Sequence, residues 1–311
     1  MDIKITKLDG TSYHLEDYKM IVKDVIVESI EMKDDYQDYE GMHGRHLVSS
    51  LYHSRKIHVP VFFVADDNLD YAIQRNLLYE LVQDEKPFYI QELRRHDKVN
   101  YKFKNTLATD YQQVDDHGIP IFDDDNHQVN AKRYLVKLSN VLTPEQKNNI
   151  GNVSLEFVTT HLPFAESVET SLDLHKQLIN GFWASDDDID FDDTAKQTYI
   201  FNNVKAGQVY YHGTVPNKQF NMYKKVRITI GKATNDFQWS LSGSDLMRVS
   251  GVEFKSGDVL EYDGLRITKN GRSVVNESNI ALPVFLPGFN EFRFNQNVKK
   301  PNLICDFIVS R

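Results

Sequence analysis

The chain has one cysteine in 311 residues, Cys305. It can therefore form no intrachain disulfide, and no thiolate-based zinc site can arise from this chain alone. Cys305 sits in the apolar stretch LICDFIV and reads as a small buried hydrophobe. No apolar run approaches the ~18–20 residues that a membrane helix needs, so no membrane partner is expected. The opening MDIKITKLDG resembles neither a secretory signal nor a transit peptide, which leads to the expectation of a protein made in a cytoplasm without Sec export. Positive charge is also short. Lys and Arg number 36 against 45 Asp and Glu, a net charge of -9, whereas a duplex DNA or RNA binder needs a basic stripe.

Catalytic signatures are missing too. Gly231-Lys232 lacks the upstream glycine and the Ser or Thr of a phosphate-binding loop. No G-x-G-x-x-G follows a strand, and neither H-E-x-x-H nor G-x-S-x-G occurs. No catalytic, cofactor-binding or metal residue is assigned, no cofactor is expected, and the chain is not read as an enzyme.

What is present is turn chemistry and alternation. Across residues 251–294, GVEFKSGDVLEYDGLRITKNGRSVVNESNIALPVFLPGFNEFRF, the dipeptides Ser256-Gly257, Asp263-Gly264, Asn270-Gly271 and Pro287-Gly288 cut a ladder of short strands. Asp-Gly and Asn-Gly between alternating residues predict tight hairpins, because a type I′ turn needs positive φ at both central positions. Leu265 and Ile267 alternate with Arg266 and Thr268, predicting one apolar and one polar face. KKVRITI, DFQWSL and NLICDFIV add further strands, so the second half reads as a β-sandwich.

The first half reads as β-rich with one substantial helix. Strands are predicted over residues 1–30, then a polar loop or long hairpin tip over 31–46 that could reach a neighbouring molecule. Strands resume at Leu47. Residues 57–63 place Ile57, Val59, Val61 and Phe63 on one face, and Pro60, which lacks a donor, predicts a strand that lies at a sheet edge or enters one there. Asp66-Asp67-Asn68 offers an N-cap, and Leu69, Ile73, Leu77 and Leu81 recur at i+4, predicting a helix to Val82. Strands are predicted at 88–93, 133–141 and 153–160. Thr143-Pro144-Glu145 suggests a short helical turn between the last two. Residues 94–130 remain unassigned, and 172–179 read as helical. The expected domains are 1–165 and 166–311, with no internal repeat.

Three clusters invite chemistry. The acidic run Asp186, Asp187, Asp188, Asp190, Asp192 and Asp193 has oxygen-rich spacing, but neither frame supplies the glycine and distal glutamate of a calcium loop, so it reads as a solvated linker. His43, His46, His53 and His58 lie close in sequence, yet strands and loops would scatter them, so they read as surface or interface histidines. Trp239, Tyr223, Tyr262 and Phe237 could stack on sugar rings, although aromatics of a sandwich more often fill its core. Paired carboxylates for glycoside cleavage need a defined separation that sequence cannot supply.

The series SGDVLEYDG, NG and LPVFLPGFNEFRF resembles the C-terminal domain of the distal tail proteins of long, non-contractile-tailed phages of Gram-positive bacteria. GRHLVSSLYHSRKIHVPVFF, DNLDYAIQRNLLYEL, KPFYI and VSLEFVTTHLPFAES are similar to that family's first domain, in the same order. The resemblance implies a homohexameric ring at the tail tip, formed by residues 1–165, with a galectin-like or carbohydrate-module-like sandwich at 166–311. It implies as partners the tail tube protein, a tail-associated hub or lysin protein, and receptor-binding or upper baseplate proteins, with DNA only as passing cargo. Residues 94–130 and 181–196 are where this member is expected to differ from shorter relatives. The other reading is a module that binds host cell-wall glycan, or an accessory of a cell-wall enzyme.

Overall fold

A computed structural model describes residues 1–93, 132–175, 193–295 and 301–311. The unassigned segment 94–130, the part of the predicted helix beyond His175 and the run from Asp186 to Asp192 lie outside the described residues. The chain is mainly β with one substantial helix, as the sequence predicts, and divides into two compact units. The first is Met1–Asn130 with Tyr134–Pro163; the second is Ala131–Arg133 with Phe164–Arg311.

The first unit comprises β1 (Asp2–Thr6), β2 (Ser12–His14), β3 (Met20–Val22), β4 (Ile26–Val27), β5 (Glu31–Gln37), β6 (His46–Ser54), β7 (Lys56–Val64), α1 (Asn68–Val82), β8 (Phe88–Leu93), β9 (Lys132–Leu138), β10 (Glu145–Lys147) and β11 (Ile150–Thr159). Its main sheet runs β2-β1-β8-β9-β11-β7-β3, every pair antiparallel. Ile57, Val59, Val61 and Phe63 of β7 are buried on one face with Val153, Leu155 and Phe157 of β11. Each such side chain removed from water contributes about 1.5–3 kcal/mol.

Pro60 does not mark an edge. β7 pairs with β11 along its whole length on one side, and with β3 and then β4 on the other. The proline falls opposite the break between those two short strands, where its carbonyl accepts the Lys23 N–H at 2.9 Å. In an antiparallel ladder a residue's N–H and C=O face the same neighbour. The missing donor therefore falls where no full pair forms.

The helix begins where expected. Asp67 caps it, its carboxylate accepting the Leu69 and Asp70 N–H groups at 2.7 and 2.8 Å. The buried face differs from the predicted one. It comprises Tyr71, Gln74, Leu78, Leu81 and Val82, while Leu69 and Ile73 stand 83% and 64% exposed. A row of i+4 residues drifts by about 40° per step around a helix of 3.6 residues per turn. Leu81 thus reaches the buried face and Leu69 lies about 120° away from it. The segment 143–145 is not helical either: β10 pairs back onto β11 across Asn148-Asn149, with Asn148 at φ 57°.

The second unit comprises β12 (Glu166–Ser167), α2 (Ser171–His175), β13 (Ile200–Phe201), β14 (Ala206–Tyr211), β15 (Lys224–Thr229), β16 (Thr234–Leu241), β17 (Met247–Phe254), β18 (Val259–Asp263), β19 (Arg266–Lys269), β20 (Arg272–Ser273), β21 (Gly288–Phe294) and β22 (Asn302–Phe307). One sheet runs β13-β22-β15-β18-β19-β20 and the other β14-β21-β16-β17. They share one core. Trp239 of β16 meets Tyr262 of β18 edge-on with ring centroids 5.6 Å apart, and Tyr211 of β14 meets Phe307 of β22 at 5.2 Å.

The Asn270-Gly271 turn has both residues at positive φ, 49° and 82°, as a type I′ hairpin requires. The preceding hairpin turns one residue later than predicted. Asp263 pairs with Arg266, so Gly264 and Leu265 form the turn, and Leu265 is exposed while Ile267 is buried.

Candidate assembly interface

The stretch after β4 forms a ribbon of its own. β5 and β6 pair only with each other, and every residue of both strands except Ser54 is exposed. Strand structure thus begins at Glu31 and resumes at His46, so the loop or hairpin tip predicted over 31–46 shrinks to residues 38–45. Two register shifts, at Glu31/Met32 and Asp35/Tyr36, break the alternation that would have revealed the strands. The ribbon is stitched by side chains. Ser50 Oγ donates to Asp34 Oδ1 at 2.5 Å, Ser54 Oγ donates to Glu31 Oε2 at 2.6 Å, and the Arg45 guanidinium lies 5.4 Å from the Tyr36 ring centre. Gly41 and Gly44, at φ 80° and 89°, turn the tip.

This ribbon carries Met32, Tyr36, Leu47, Val48, Leu51 and Tyr52, all between 43% and 59% exposed, with Tyr39 and Met42 at the tip. An isolated two-stranded ribbon is marginal in water, and clustered exposed apolar residues mark surfaces that a partner covers. The Leu69 and Ile73 row of α1 is a second exposed apolar feature of the same unit.

The histidines are not brought together. His43, His46 and His53 are exposed on the ribbon, whereas His58 on β7 contacts Glu28 at 2.7 Å and Glu156 at 3.8 Å. Among the described residues no three His, Cys, Asp or Glu side chains converge to hold a metal. Asp193, the one described member of the acidic run, caps a short 3-10 turn by accepting the Ala195 N–H at 3.0 Å.

The aromatic cluster is core. Trp239, Phe237 and Tyr262 are buried, and burial pushes the Tyr262 hydroxyl up to about 12. Only Tyr223 reaches the surface, and its hydroxyl donates to Asp306 at 2.8 Å. These residues therefore offer no sugar-stacking platform. Cys305 is buried, and burial raises its thiol pKa far above the ordinary range. Among the described residues no helix is long and apolar enough to cross a membrane.

Comparison with known proteins agrees with this architecture. The family model of the phage tail protein RIFT-related domain matches residues 8–159. The SPP1 Dit (gp 19.1) protein, described as a hub of the adsorption apparatus of phages infecting Gram-positive bacteria, superposes with a TM-score of 0.58. Identity is 14%, and 99% of each chain is covered. Chains of the phage p2 baseplate in its activated conformation align over 98% and 100% of this chain at 7% identity, with TM-scores of 0.35 and 0.36. Those scores are too low to carry an argument. No curated protein sequence matches.

Residues 8–159 are thus similar to the RIFT-related domain of phage tail proteins. As a whole the chain has the fold of the SPP1 Dit protein.

Proposed function

We propose that the chain closes into a homohexameric ring at the tail tip, joining the tail tube to a tail-associated hub or lysin protein and leaving a channel for DNA. The observation that carries this reading is the β5–β6 ribbon, which exposes both faces and a row of apolar side chains on a folded unit. A second copy of the chain is the occupant proposed for it. Residues 1–165 form the ring, and residues 166–311, with a galectin-like sandwich, anchor receptor-binding or upper baseplate proteins. The role is non-enzymatic, and the particle is assembled in the host cytoplasm before the virion leaves. The net charge of -9 suits a conduit for DNA, because a wall of like charge does not retain a passing polyanion.

Electron microscopy of the purified chain tests the ring. Closed six-fold particles with a central hole support it; open filaments or single copies at all concentrations refute it. The charge argument has its own test in the assembled particle, where a strongly basic channel wall would overturn it.

A further inference from the structure

The β19–β20 hairpin closes on Asn270-Gly271, the one Asn-Gly pair among the described residues. Asn-Gly is also the dipeptide in which an asparagine amide is most open to attack by its own chain, because glycine sets no side chain beside the attacking nitrogen. Both residues are exposed, so water reaches them freely. Yet the Asn270 amide is held at both ends. Its Oδ1 accepts the Val259 N–H at 2.8 Å, and its Nδ2 donates to Asp258 Oδ1 at 2.9 Å. The Asn270 backbone N–H donates to the Val259 carbonyl, also at 2.8 Å. Side chain and backbone are thus engaged with the start of β18 rather than with Gly271.

The partner of the amide is itself fixed. Asp258 Oδ2 accepts the Lys255 N–H at 2.8 Å and pairs with Lys269 Nζ at 3.0 Å. The hairpin that carries Asn270 is less secure. β20 is two exposed residues at the end of the six-stranded sheet, paired with β19 at Thr268–Ser273 and Lys269–Arg272. So short an edge opens at low cost while the strands beside it stay formed.

We propose that Asn270 is a deamidation site gated by this hairpin. The closed turn withholds the amide carbon from the Gly271 nitrogen. When the β19–β20 end opens, that nitrogen attacks Asn270 Cγ and the new N–C bond closes a succinimide. The proton of the Gly271 N–H passes through water to Nδ2, which leaves as ammonia. Water then adds to one of the two imide carbonyls and breaks its C–N bond, giving aspartate or isoaspartate, with nothing oxidised or reduced. Neither product refits the turn. Aspartate at position 270 puts a carboxylate oxygen where Nδ2 stood, 2.9 Å from Asp258 Oδ1, and like charges so close repel. Isoaspartate lengthens the backbone by a methylene inside a tight turn, and hairpin register depends on that turn. The site lies wholly within the second unit and does not depend on ring assembly.

Peptide mapping by mass spectrometry tests it on the full chain held at mildly alkaline pH, with position 270 resolved from the other Asn-Gly pair, Asn180-Gly181. A synthetic peptide of residues 266–275 supplies the rate without the fold. Deamidation at 270 in the folded chain should be slower than in the peptide by about tenfold or more. Asp258→Ala frees Nδ2 and should quicken it by about threefold or more, since the turn loses a bond that keeps it closed. Hydrogen exchange at Val274, whose N–H donates to the Ile267 carbonyl at 2.9 Å, reports opening of the hairpin independently. Across low urea concentrations the exchange rate and the deamidation rate should rise in step. Deamidation as fast as in the peptide, no acceleration in Asp258→Ala, or exchange that rises without deamidation would each overturn the proposal.

Discussion

Gly151 stands directly opposite Phe63 in the β7–β11 pair, and a Cβ at position 151 would lie 2.2 Å from the Phe63 ring. The glycine is there because the ring occupies the space a side chain would need. Phe63 in turn packs against Tyr71 of α1, with centroids 5.2 Å apart, so the pair couples sheet to helix. Gly151→Ala is expected to destabilise the first unit by about 1–3 kcal/mol through overpacking. A urea unfolding curve with a lowered midpoint and unchanged slope checks it; an unchanged midpoint would show that the ring moves aside freely.

Asn290 is fully buried in β21, between exposed neighbours. Its Oδ1 accepts the Leu286 N–H at 2.8 Å, and its Nδ2 donates to the Leu286 and Gly288 carbonyls at 2.7 and 3.0 Å. One amide thus holds the Pro287-Gly288 corner closed. Asn290→Ala removes three bonds and leaves inward-facing backbone groups unpaired, so a loss of about 1–3 kcal/mol is expected. Thermal unfolding that matches the unaltered chain would contradict this.

His212 supplies a pH signature. It is buried, its Nε2 lies 3.0 Å from the Lys196 carbonyl oxygen, and burial is the main cause that lowers its pKa to about 4 from 6.5. Between those values the unfolded chain takes up a proton that the folded chain refuses, so stability falls as pH falls from about 6.5 to about 4. The loss attributable to this group is of order 1–3 kcal/mol. His212→Gln should be less stable at pH 7 yet lose less across that window. Parallel slopes for both proteins would remove His212 from the explanation. Asp258, held down to about 2 mainly by the Lys255 backbone N–H and then by Asn270, loses its contribution at lower pH and does not confuse the reading.

Much of the fold was legible in local chemistry. The helix cap at Asp67, the Asn270-Gly271 turn and the alternation of Ile57, Val59, Val61 and Phe63 each follow from residue types alone. What escaped was set by neighbours far along the chain. Whether Pro60 lies at an edge depends on where β3 ends and β4 begins. Which side of α1 is buried depends on the sheet beneath it, and neither Leu69 nor Ile73 differs in kind from Leu78. The interface ribbon was half visible: its polar composition resembles a loop, and its register shifts hide the pairing.

The most direct test of the ring is the mass of the particle in solution, compared between the unaltered chain and a ribbon variant. Leu47, Leu51 and Tyr52 are exposed, so replacing them together with serine should change the stability of the single chain little. Light scattering on the unaltered chain should give roughly six times the 36.1 kDa of one copy. The triple variant should give a single copy with the same unfolding midpoint. A single-copy mass for the unaltered chain at high concentration, or a variant that assembles as well as its parent, would contradict the assignment of the ribbon as the contact between copies.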